Sequence, residues 1–278
     1  MIDISELVAG IPELSGVKRY ELLNRGVVNE TWRLFDGARS FVLRRDTPMV
    51  ATLGLDRKAE IEVLKTVAEA GLGPTLIWTD LDAGLLLTEY IEGCSWSEAE
   101  LSNNQNLLRA SKLLYQLHHV SLASKSLKPK DLSECAWRYA HQLAISEAEQ
   151  FAIEVSRLAD EWCADHSRHV LCHNDLICTN IIATGQGDDL MLIDWEYAGL
   201  GEPYFDLAVF IRHHSLSDVV AKVFLDGYSS TIDEQRLDAC MAMYDRLLVL
   251  WLMLACRLPN APHGYQRALD TVIFRLNH

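Results

Sequence analysis

The chain has 278 residues, of which 49% are hydrophobic and 23% charged, a composition typical of a globular protein with a sizeable core. Its 39 acidic and 25 basic residues give a formal net charge of −14, which disfavours nucleic acid as a partner and favours cationic or metal-bound ones. An acidic surface that merely keeps the protein soluble accounts for the same charge, and the length suits one two-lobed unit or two domains.

The N-terminal part of the chain has the composition of strands and hairpins. Its first residues, Met1 to Glu6, lack the basic region and apolar core of a signal peptide, so we expect a cytoplasmic protein. Turn-forming residues such as Asp36 and Gly37 separate the apolar runs, which indicates antiparallel hairpins. The predicted strands are residues 17–23, 28–36, 41–44, 74–79 and 85–90.

A helix is predicted after the third of these strands. Asp56 is a plausible N-cap, and the helix would run to about Ala70. Counting from Glu60, apolar residues fall at positions +3, +4 and +7, so Glu60 lies on the inward face. A buried carboxylate needs a partner, and Arg44 at the end of the third strand is the candidate. A glutamate at the helix edge that reaches solvent is the alternative.

The second half of the chain has mainly helical spacing. The longest apolar run, Leu247 to Cys256, has ten residues, which is too short to span a bilayer and indicates a buried helix without membrane contact. The seven cysteines form no Cys-x-x-Cys pair, and their odd number argues against a disulfide framework. Helical periodicity is found around residues 107–117, 151–162, 208–212 and 244–255.

The stretch between residues 171 and 206 carries the most chemistry. Two apolar runs around a Gly- and Asp-rich turn predict a β-hairpin over residues 181–193. Such a hairpin would hold Asn180 beside Asp194, and Mg²⁺ is usually bound by one or two such oxygen ligands plus the phosphates of its nucleotide. Asp175 is not needed as a ligand, so it is free to accept a proton from an attacking hydroxyl.

The order of these residues resembles a known family. His173-Asn-Asp175, then Asn180, then a hydrophobic strand that ends in Ile-Asp194-Trp-Glu-Tyr-Ala-Gly is similar to the catalytic and metal loops of protein-kinase-like phosphotransferases. With the later Pro-x-Phe-Asp206-Leu-Ala, the pattern resembles the small-molecule branch in particular. That branch contains choline and ethanolamine kinases, thiamine kinase and the aminoglycoside phosphotransferases.

The resemblance implies an α+β, two-lobed protein-kinase-like fold. Residues 1–91 would form a small antiparallel-sheet N-lobe that binds the nucleotide, and residues 92–278 a larger, mainly helical C-lobe. Arg44 or Arg45 would contact the ATP phosphates, with Arg44 preferred because Glu60 can orient it. The chain has no Gly-x-Gly-x-x-Gly and no Walker lysine motif. Further implied nucleotide contacts are Gly26, Asn29, Tyr90 and Ile91.

The reaction implied is ATP-dependent transfer of a phosphoryl group to the hydroxyl of a small alcohol. Asn180 and Asp194 would bind Mg²⁺, and Asp175 would align the hydroxyl and accept its proton. His173 belongs to the same catalytic loop, where its expected part is to brace the loop rather than to transfer protons. Asp206 is expected to brace the loop in the same way.

The acceptor is expected to be a small cationic metabolite, because cations bind favourably over aromatic faces. Choline, ethanolamine and thiamine fit this description. Eukaryotic choline kinases carry an acidic residue where this chain has Arg212, His213 and His214, which is a departure from their pattern. Trp251 also lies on a core-like helical stripe, so packing is its alternative role. Candidate substrate residues are Glu196, Trp195, Tyr197, Tyr204 and Trp251.

Other functions stay open at this point. An aminoglycoside phosphotransferase is a near variant, and a non-catalytic nucleotide-binding module is a second alternative. A metal-dependent hydrolase that uses His173, Asp175 and Asp194 fits less well, because hydrolytic sites usually need more histidine and carboxylate ligands.

Overall fold

The computed structural model describes residues 4–37, 39–122, 127–185, 189–258 and 261–278. Two of the predicted hairpin turns contain residues outside this part, Ala38 in one and residues 186–188 in the other. The strands are β1 (Arg19–Arg25), β2 (Asn29–Asp36), β3 (Arg39–Asp46), β4 (Leu76–Asp80), β5 (Leu85–Glu89), β6 (Cys94–Ser95), β7 (Val170–Cys172), β8 (Ile181–Ala183), β9 (Leu190–Leu192) and β10 (Gly199–Gly201).

The helices of the described residues are concentrated after residue 100. Short 3-10 turns separate some of them. The α-helices are α1 (Ile4–Ala9), α2 (Met49–Leu53), α3 (Arg57–Glu69), α4 (Asn104–His118), α5 (Leu132–Leu143), α6 (Ser146–Trp162), α7 (Pro203–His213), α8 (Asp218–Tyr228), α9 (Glu234–Cys256) and α10 (His263–Leu276).

The N-terminal strands form one antiparallel sheet in the order β1-β2-β3-β5-β4. Trp32 pairs with Leu43 in this register, and both side chains are buried in a small core against α1. Successive side chains of a strand point to opposite faces, so Arg44 lies on the face opposite Leu43. That face is the one where α3 supplies a partner for Arg44.

Helix α3 has the predicted cap and the predicted inward face. The Asp56 side chain accepts hydrogen bonds from the backbone N–H groups of Lys58 and Ala59, as an N-cap does. Val63 and Val67 are fully buried, and Glu60 is only 2% exposed. The position of Glu60 on the buried face is therefore confirmed.

Helix α9 corrects the expectation of a short apolar helix near the end of the chain. It has 23 residues and packs against α5, α6, α7 and α10. Within the described part of the chain, α9 is the one helix that length and composition would allow to cross a membrane, and 56% of its apolar window is buried. The argument from a ten-residue run was wrong, because the helix continues through Asp245 and Arg246.

Short pairs of strands hold the stretch from residue 171 to residue 206. Strand β8 pairs with β9, with Ile181 opposite Leu192, so the predicted hairpin is confirmed. Strand β7 pairs with β10, and β6 pairs with β8. The loop after β7 is thereby held next to the loop after β9. The division of the chain at residue 91 stays a prediction.

Candidate active site

A cavity of about 590 Å³ lies beside the loops that follow β7 and β9. The turn between β1 and β2 contributes Gly26 and Asn29 to its wall, and the C-terminal loops contribute Asp175, Asn180 and Asp194. The Gly26 N–H donates a 2.9 Å hydrogen bond to the Asn29 carbonyl and closes the turn. The structure therefore brings these five predicted site residues to one cavity.

Asp175 is held by Asn180 in the wall of this cavity. The Asn180 side-chain amide donates to the backbone carbonyl of Asp175 at 3.0 Å and to its carboxylate at 3.1 Å. Burial, together with the nearby Glu196 carboxylate, raises the pKa of Asp175 from 3.8 to about 7. A carboxylate with such a pKa is suited to accepting a proton near neutral pH.

Asp194 occupies a constrained position directly after β9. Its φ of 64° lies in the left-handed region, which non-glycine residues rarely adopt. One carboxylate oxygen lies 3.9 Å from Arg44 Nη1, and the side chain is 37% exposed. Burial raises the pKa of Asp194, and the positive charge of Arg44 opposes this shift. The backbone at Asp194 therefore directs a solvent-accessible carboxylate to the cavity that Asn180 also lines.

Arg44 and Glu60 form the predicted ion pair. Two hydrogen bonds of 2.6 Å join the guanidinium to both carboxylate oxygens. Burial alone would lower the pKa of Arg44, but Glu60 raises it above its usual value; in return Arg44 lowers the pKa of Glu60 against the effect of burial. Arg45 pairs with Glu30 instead. The geometry thus supports Arg44 as the residue of the two that faces the phosphate side.

Arg57 and the Asn29–Glu196 contact were missed by sequence reasoning. Arg57 is the first residue of α3, and its guanidinium contacts Asp46, Glu60 and Glu196. The Asn29 amide donates a 3.0 Å hydrogen bond to Glu196. The position of Arg57, one residue after a helix N-cap, was only a weak indication that its side chain belongs to the site. No local sequence pattern predicted the long-range contacts with Glu196. Glu196, a substrate candidate, is thereby engaged by the N-terminal part of the protein.

His173 and Asp206 brace the loop that carries Asp175. The Asp206 carboxylate accepts hydrogen bonds from the backbone N–H groups of His173 at 2.8 Å and Asn174 at 2.6 Å. His173 is fully buried, donates from Nε2 to the carbonyl of Ile193, and does not line the cavity. Burial lowers the pKa of His173, which keeps its ring neutral. These bonds agree with the expectation that His173 and Asp206 brace the loop. His173 was also grouped with Asp175 as a catalytic residue, and its position outside the cavity wall does not favour that role.

Trp195 is not a substrate contact. Its ring is 1% exposed, and its indole N–H donates to the carbonyl of Leu192 at 3.1 Å. It packs beside the ring of His173 and supports the loop from behind. Tyr204 also lies outside the cavity wall, since its hydroxyl accepts a hydrogen bond from the Asp233 N–H. Both expectations are corrected, because neighbours of a ligand in sequence need not face the same side.

Tyr197 and Trp251 do line the cavity. The Trp251 indole N–H donates a 3.0 Å hydrogen bond to the Tyr197 hydroxyl, which joins α9 to the loop after β9. Lys130 was missed: its ammonium donates to the Tyr197 carbonyl at 2.6 Å and also lines the cavity. Four further aromatic side chains line the cavity, namely Tyr139, Phe205, Tyr244 and Tyr265.

The predicted adenine contacts lie at the end of β5. The Tyr90 N–H donates to the Ser40 carbonyl within the sheet, and the ring stacks on the Arg33 guanidinium at 3.6 Å. Neither Tyr90 nor Ile91 belongs to the cavity wall. Because the Tyr90 N–H is already bonded, a backbone contact to adenine would fall to other groups of this connection.

The fold and the arrangement of Asp175, Asn180 and Asp194 define the class of protein-kinase-like phosphotransferases, with an antiparallel sheet before a helical part and the cavity between the two sets of loops. The chain belongs to the phosphotransferase enzyme family, whose model matches residues 19–240. The predicted family, the predicted fold and an ATP-dependent small-molecule kinase are thereby confirmed.

Individual relatives agree with this family. Protein LicA of Haemophilus influenzae is 26% identical over 81% of this chain and 67% of its own length. Ethanolamine kinase 2 of Mus musculus is 28% identical over 70% of this chain, which spans about half of that protein, 52%. The solved structure of the choline kinase LicA from Streptococcus pneumoniae superposes with a TM-score of 0.80 over 97% of both chains at 21% identity.

Proposed function

We propose that this protein transfers the γ-phosphoryl group of ATP to the hydroxyl of a small amino alcohol of the choline or ethanolamine type. The observation that carries the proposal is the half-buried carboxylate of Asp175, held by Asn180 in a cavity that Asp194 shares. The names of the ethanolamine kinase and choline kinase relatives support the acceptor class. Thiamine is the next candidate acceptor.

Asp175 acts on the acceptor in this scheme. Its carboxylate receives a hydrogen bond from the substrate hydroxyl, aligns the oxygen for attack and accepts the proton as the new O–P bond forms. The raised pKa of Asp175 supports this role, since the group can hold the proton after transfer. Arg44 does not itself line the cavity, but its Nη1 lies 3.9 Å from Asp194, from where it would neutralise phosphate charge. Glu60, which is held in turn by Arg57, fixes the direction of Arg44.

Asn180 and Asp194 have the donor chemistry for Mg²⁺. Both Asn180 amide hydrogen-bond contacts come from its nitrogen, so its carbonyl oxygen stays available as a ligand. Asp194 adds a partly exposed carboxylate. Hard oxygen ligands of this kind suit Mg²⁺, which would neutralise charge on the β and γ phosphates of ATP when bound.

The aromatic end of the cavity suits an ammonium group. Tyr197 and Trp251 line this end and are joined by a hydrogen bond, and the Lys130 ammonium already lies 5.2 Å from the centre of the Tyr197 ring. Aromatic faces attract cations by about 0.5–2 kcal/mol, so the Trp251 ring is the one that is left for an ammonium group of the acceptor. An acceptor with a hydroxyl two or three bonds from its ammonium would place the hydroxyl toward Asp175 and the cation toward the rings.

An ADP-release assay with ATP and Mg²⁺ tests the proposal. The panel is choline, ethanolamine, thiamine, an aminoglycoside and a reaction without acceptor; we expect acceptor-dependent ADP release with an amino alcohol. Asp175→Asn should lower turnover by about 10²–10⁴-fold, the usual contribution of a general base. Nucleotide binding, followed by thermal shift, should persist. Asp218→Asn changes an exposed carboxylate of α8 and is the matched control.

Two outcomes would contradict the proposal. Turnover of Asp175→Asn equal to that of the unchanged protein would remove Asp175 from the reaction. Nucleotide binding without ADP release for any alcohol would favour the non-catalytic module.

A further inference from the structure

The charges of the cavity wall are divided between two regions. The carboxylates of Asp175, Asp194 and Glu196 all belong to the region assigned to the metal, the phosphates and the reacting hydroxyl. Away from them, the wall formed by α7 and α10 contains Arg212 and Arg275. An acceptor that reaches beyond the reacting hydroxyl therefore meets guanidinium groups on this side.

Asp245 is the carboxylate that these two arginines share, and Arg275 takes both of its oxygens. Arg275 Nε donates to one oxygen of Asp245 at 3.1 Å, and Nη2 donates to the other. Its remaining Nη1 donates at 3.1 Å to the carbonyl of Arg212 near the end of α7. Each nitrogen of the Arg275 guanidinium thus has a protein acceptor, and its part is to join α7, α9 and α10.

The positive charge of Arg212 is compensated much less by Asp245 than that of Arg275 is. Its Nε lies 3.2 Å from Asp245, but the direction does not make a hydrogen bond, and this buried nitrogen is without an acceptor among the described residues. The side chain is 35% exposed, and within the described part of the chain its terminal amino groups have no protein acceptor. Two guanidinium groups face a single carboxylate here, which leaves one positive charge uncompensated.

Among the described residues of the cavity wall, no carboxylate of this corner offsets that charge. His213 bonds through Nδ1 to the Tyr244 hydroxyl at 3.0 Å, and an imidazole, whether neutral or protonated, cannot offset a positive charge. Lys130 belongs to the other region of the wall: it lies beside Tyr197, burial lowers its pKa, and the carboxylates of Glu196 and Asp175 act against that shift. At this corner the positive charge of Arg212 would repel the ammonium end of an acceptor and attract an anionic group.

We propose that the acceptor alcohol carries an anionic group in addition to its hydroxyl, and that Arg212 binds this group. A guanidinium fork with free amino groups matches the two oxygens of a carboxylate or a phosphate. The inference rests on the proposed phosphotransfer function and specifies its substrate: a zwitterion with its ammonium near Trp251, its hydroxyl at Asp175 and its anion at Arg212.

Matched acceptors test the inference. Choline is compared with carnitine, ethanolamine with serine, and glycerol with glycerol 3-phosphate. Carnitine adds a carboxymethyl group to choline and has a secondary hydroxyl, serine adds a carboxylate to ethanolamine, and the third pair, which has no ammonium, differs by a phosphate. We expect kcat/KM to be at least about tenfold higher for the anionic member of one or more pairs, as one charge-assisted hydrogen bond would give. The pair that shows the preference identifies the anion.

Variants of Arg212 locate the effect. Arg212→Gln should raise KM for the preferred anionic acceptor by about 10–100-fold and leave KM for ATP unchanged. Arg212→Lys should be intermediate, because it keeps the charge and loses the fork. Arg267→Gln removes the same charge from the exposed face of α10 and should change neither constant.

Three results would overturn the inference. These are an equal or higher kcat/KM for the neutral or cationic member of every pair, an unchanged acceptor KM in Arg212→Gln, or a rise confined to KM for ATP. Each of them leaves acceptor-dependent ADP release, and with it the proposed function, in place. Absence of ADP release with every alcohol would instead remove the proposed function itself.

Discussion

The side-chain amide of Asn29 donates a 3.0 Å hydrogen bond to the carboxylate of Glu196, a residue 167 positions later in the chain. Asn29 begins β2 in the N-terminal sheet, and Glu196 follows the loop that carries Asp194. Asn29 is 8% and Glu196 6% exposed, so the bond is shielded from water. The turn predicted to cover the phosphates is therefore joined directly to the loop predicted to hold the metal.

Replacement of Asn29 by alanine should reduce both stability and nucleotide affinity. The buried Glu196 carboxylate loses a donor, which typically costs about 1.5–3 kcal/mol of unfolding free energy. KM for ATP should rise several-fold, and KM for the acceptor should change less, because Arg212 and Trp251 in the cavity wall are unchanged. Urea denaturation and steady-state kinetics measure the two effects. Thr31→Val removes the hydroxyl that donates to Asn29 and is the control, with the Glu196 bond intact.

The Arg44–Glu60 pair should show strong coupling. Arg44→Met leaves the carboxylate of Glu60 buried with Arg57 as its remaining partner, so we expect a loss of about 3 kcal/mol in unfolding free energy. Adding Glu60→Gln should recover most of that stability, but KM for ATP should stay high because the phosphate-side cation is still missing. Arg45→Gln is the matched control. Stability losses that simply add in the double variant would contradict the coupling.

Much of the site was predictable because its signals are local. The N-cap at Asp56, the inward position of Glu60 and the β8–β9 hairpin each depend on spacing within a few residues. Pairing of Arg44 with Glu60 followed from the cost of a buried charge. The contacts of Asn29 and Arg57 with Glu196 were not predictable, because they depend on how two distant segments pack.

Helix α9 shows the same limit in a different way. Asp245 and Arg246 interrupt its apolar run, so the argument about membrane crossing counted only the ten residues after them, although the helical periodicity began at about residue 244. In the folded protein Asp245 is 1% exposed and is neutralised by Arg275, which comes from α10 thirty residues later. Hydrophobic periodicity cannot predict a buried carboxylate whose partner lies far away in the sequence. For the same reason, the uncompensated positive charge of Arg212 could be recognised only from the structure.

Asp206 should be essential for the loop that carries Asp175. Its carboxylate accepts hydrogen bonds from two backbone N–H groups of that loop and from His118 Nε2 at 3.1 Å. Asp206→Asn keeps the shape but loses the charge, so we expect a loss of about 2–4 kcal/mol in unfolding free energy and at least a tenfold fall in kcat.

A milder variant of the same hydrogen-bond chain provides a comparison for the effect of Asp206→Asn on stability and kcat. The Tyr228 hydroxyl lies 2.7 Å from His118 Nδ1, at the outer end of the same chain of hydrogen bonds. Tyr228→Phe should therefore lower stability by about 1 kcal/mol and change kcat by less than about threefold. An Asp206→Asn variant with normal kcat and altered stability alone would show that the loop does not need this support for catalysis.

The raised pKa of Asp175 predicts a pH-dependent stability for the metal-free protein. The folded state raises the pKa from 3.8 to about 7, mainly by burial, so it binds the Asp175 proton more tightly than the unfolded state does. The stabilisation from this proton is complete below about pH 4 and is lost as the pH rises to about 7. Asp175→Asn has no such proton, so its stability relative to the unchanged protein should increase over this range by about 2 kcal/mol, allowing for partial solvent screening.

Urea denaturation in the presence of a chelator, at intervals from pH 4.5 to pH 8, measures this difference. Asp218→Asn, on the exposed surface of α8, should follow the unchanged protein at every pH. Addition of Mg²⁺ and a nucleotide should reduce the difference at pH 8, because a cation near Asp175 favours its charged form. A stability difference between Asp175→Asn and the unchanged protein that is constant from pH 4.5 to pH 8 would show that Asp175 is ionised over this whole range. Asp175 would then be a general base with the ordinary pKa of an aspartate.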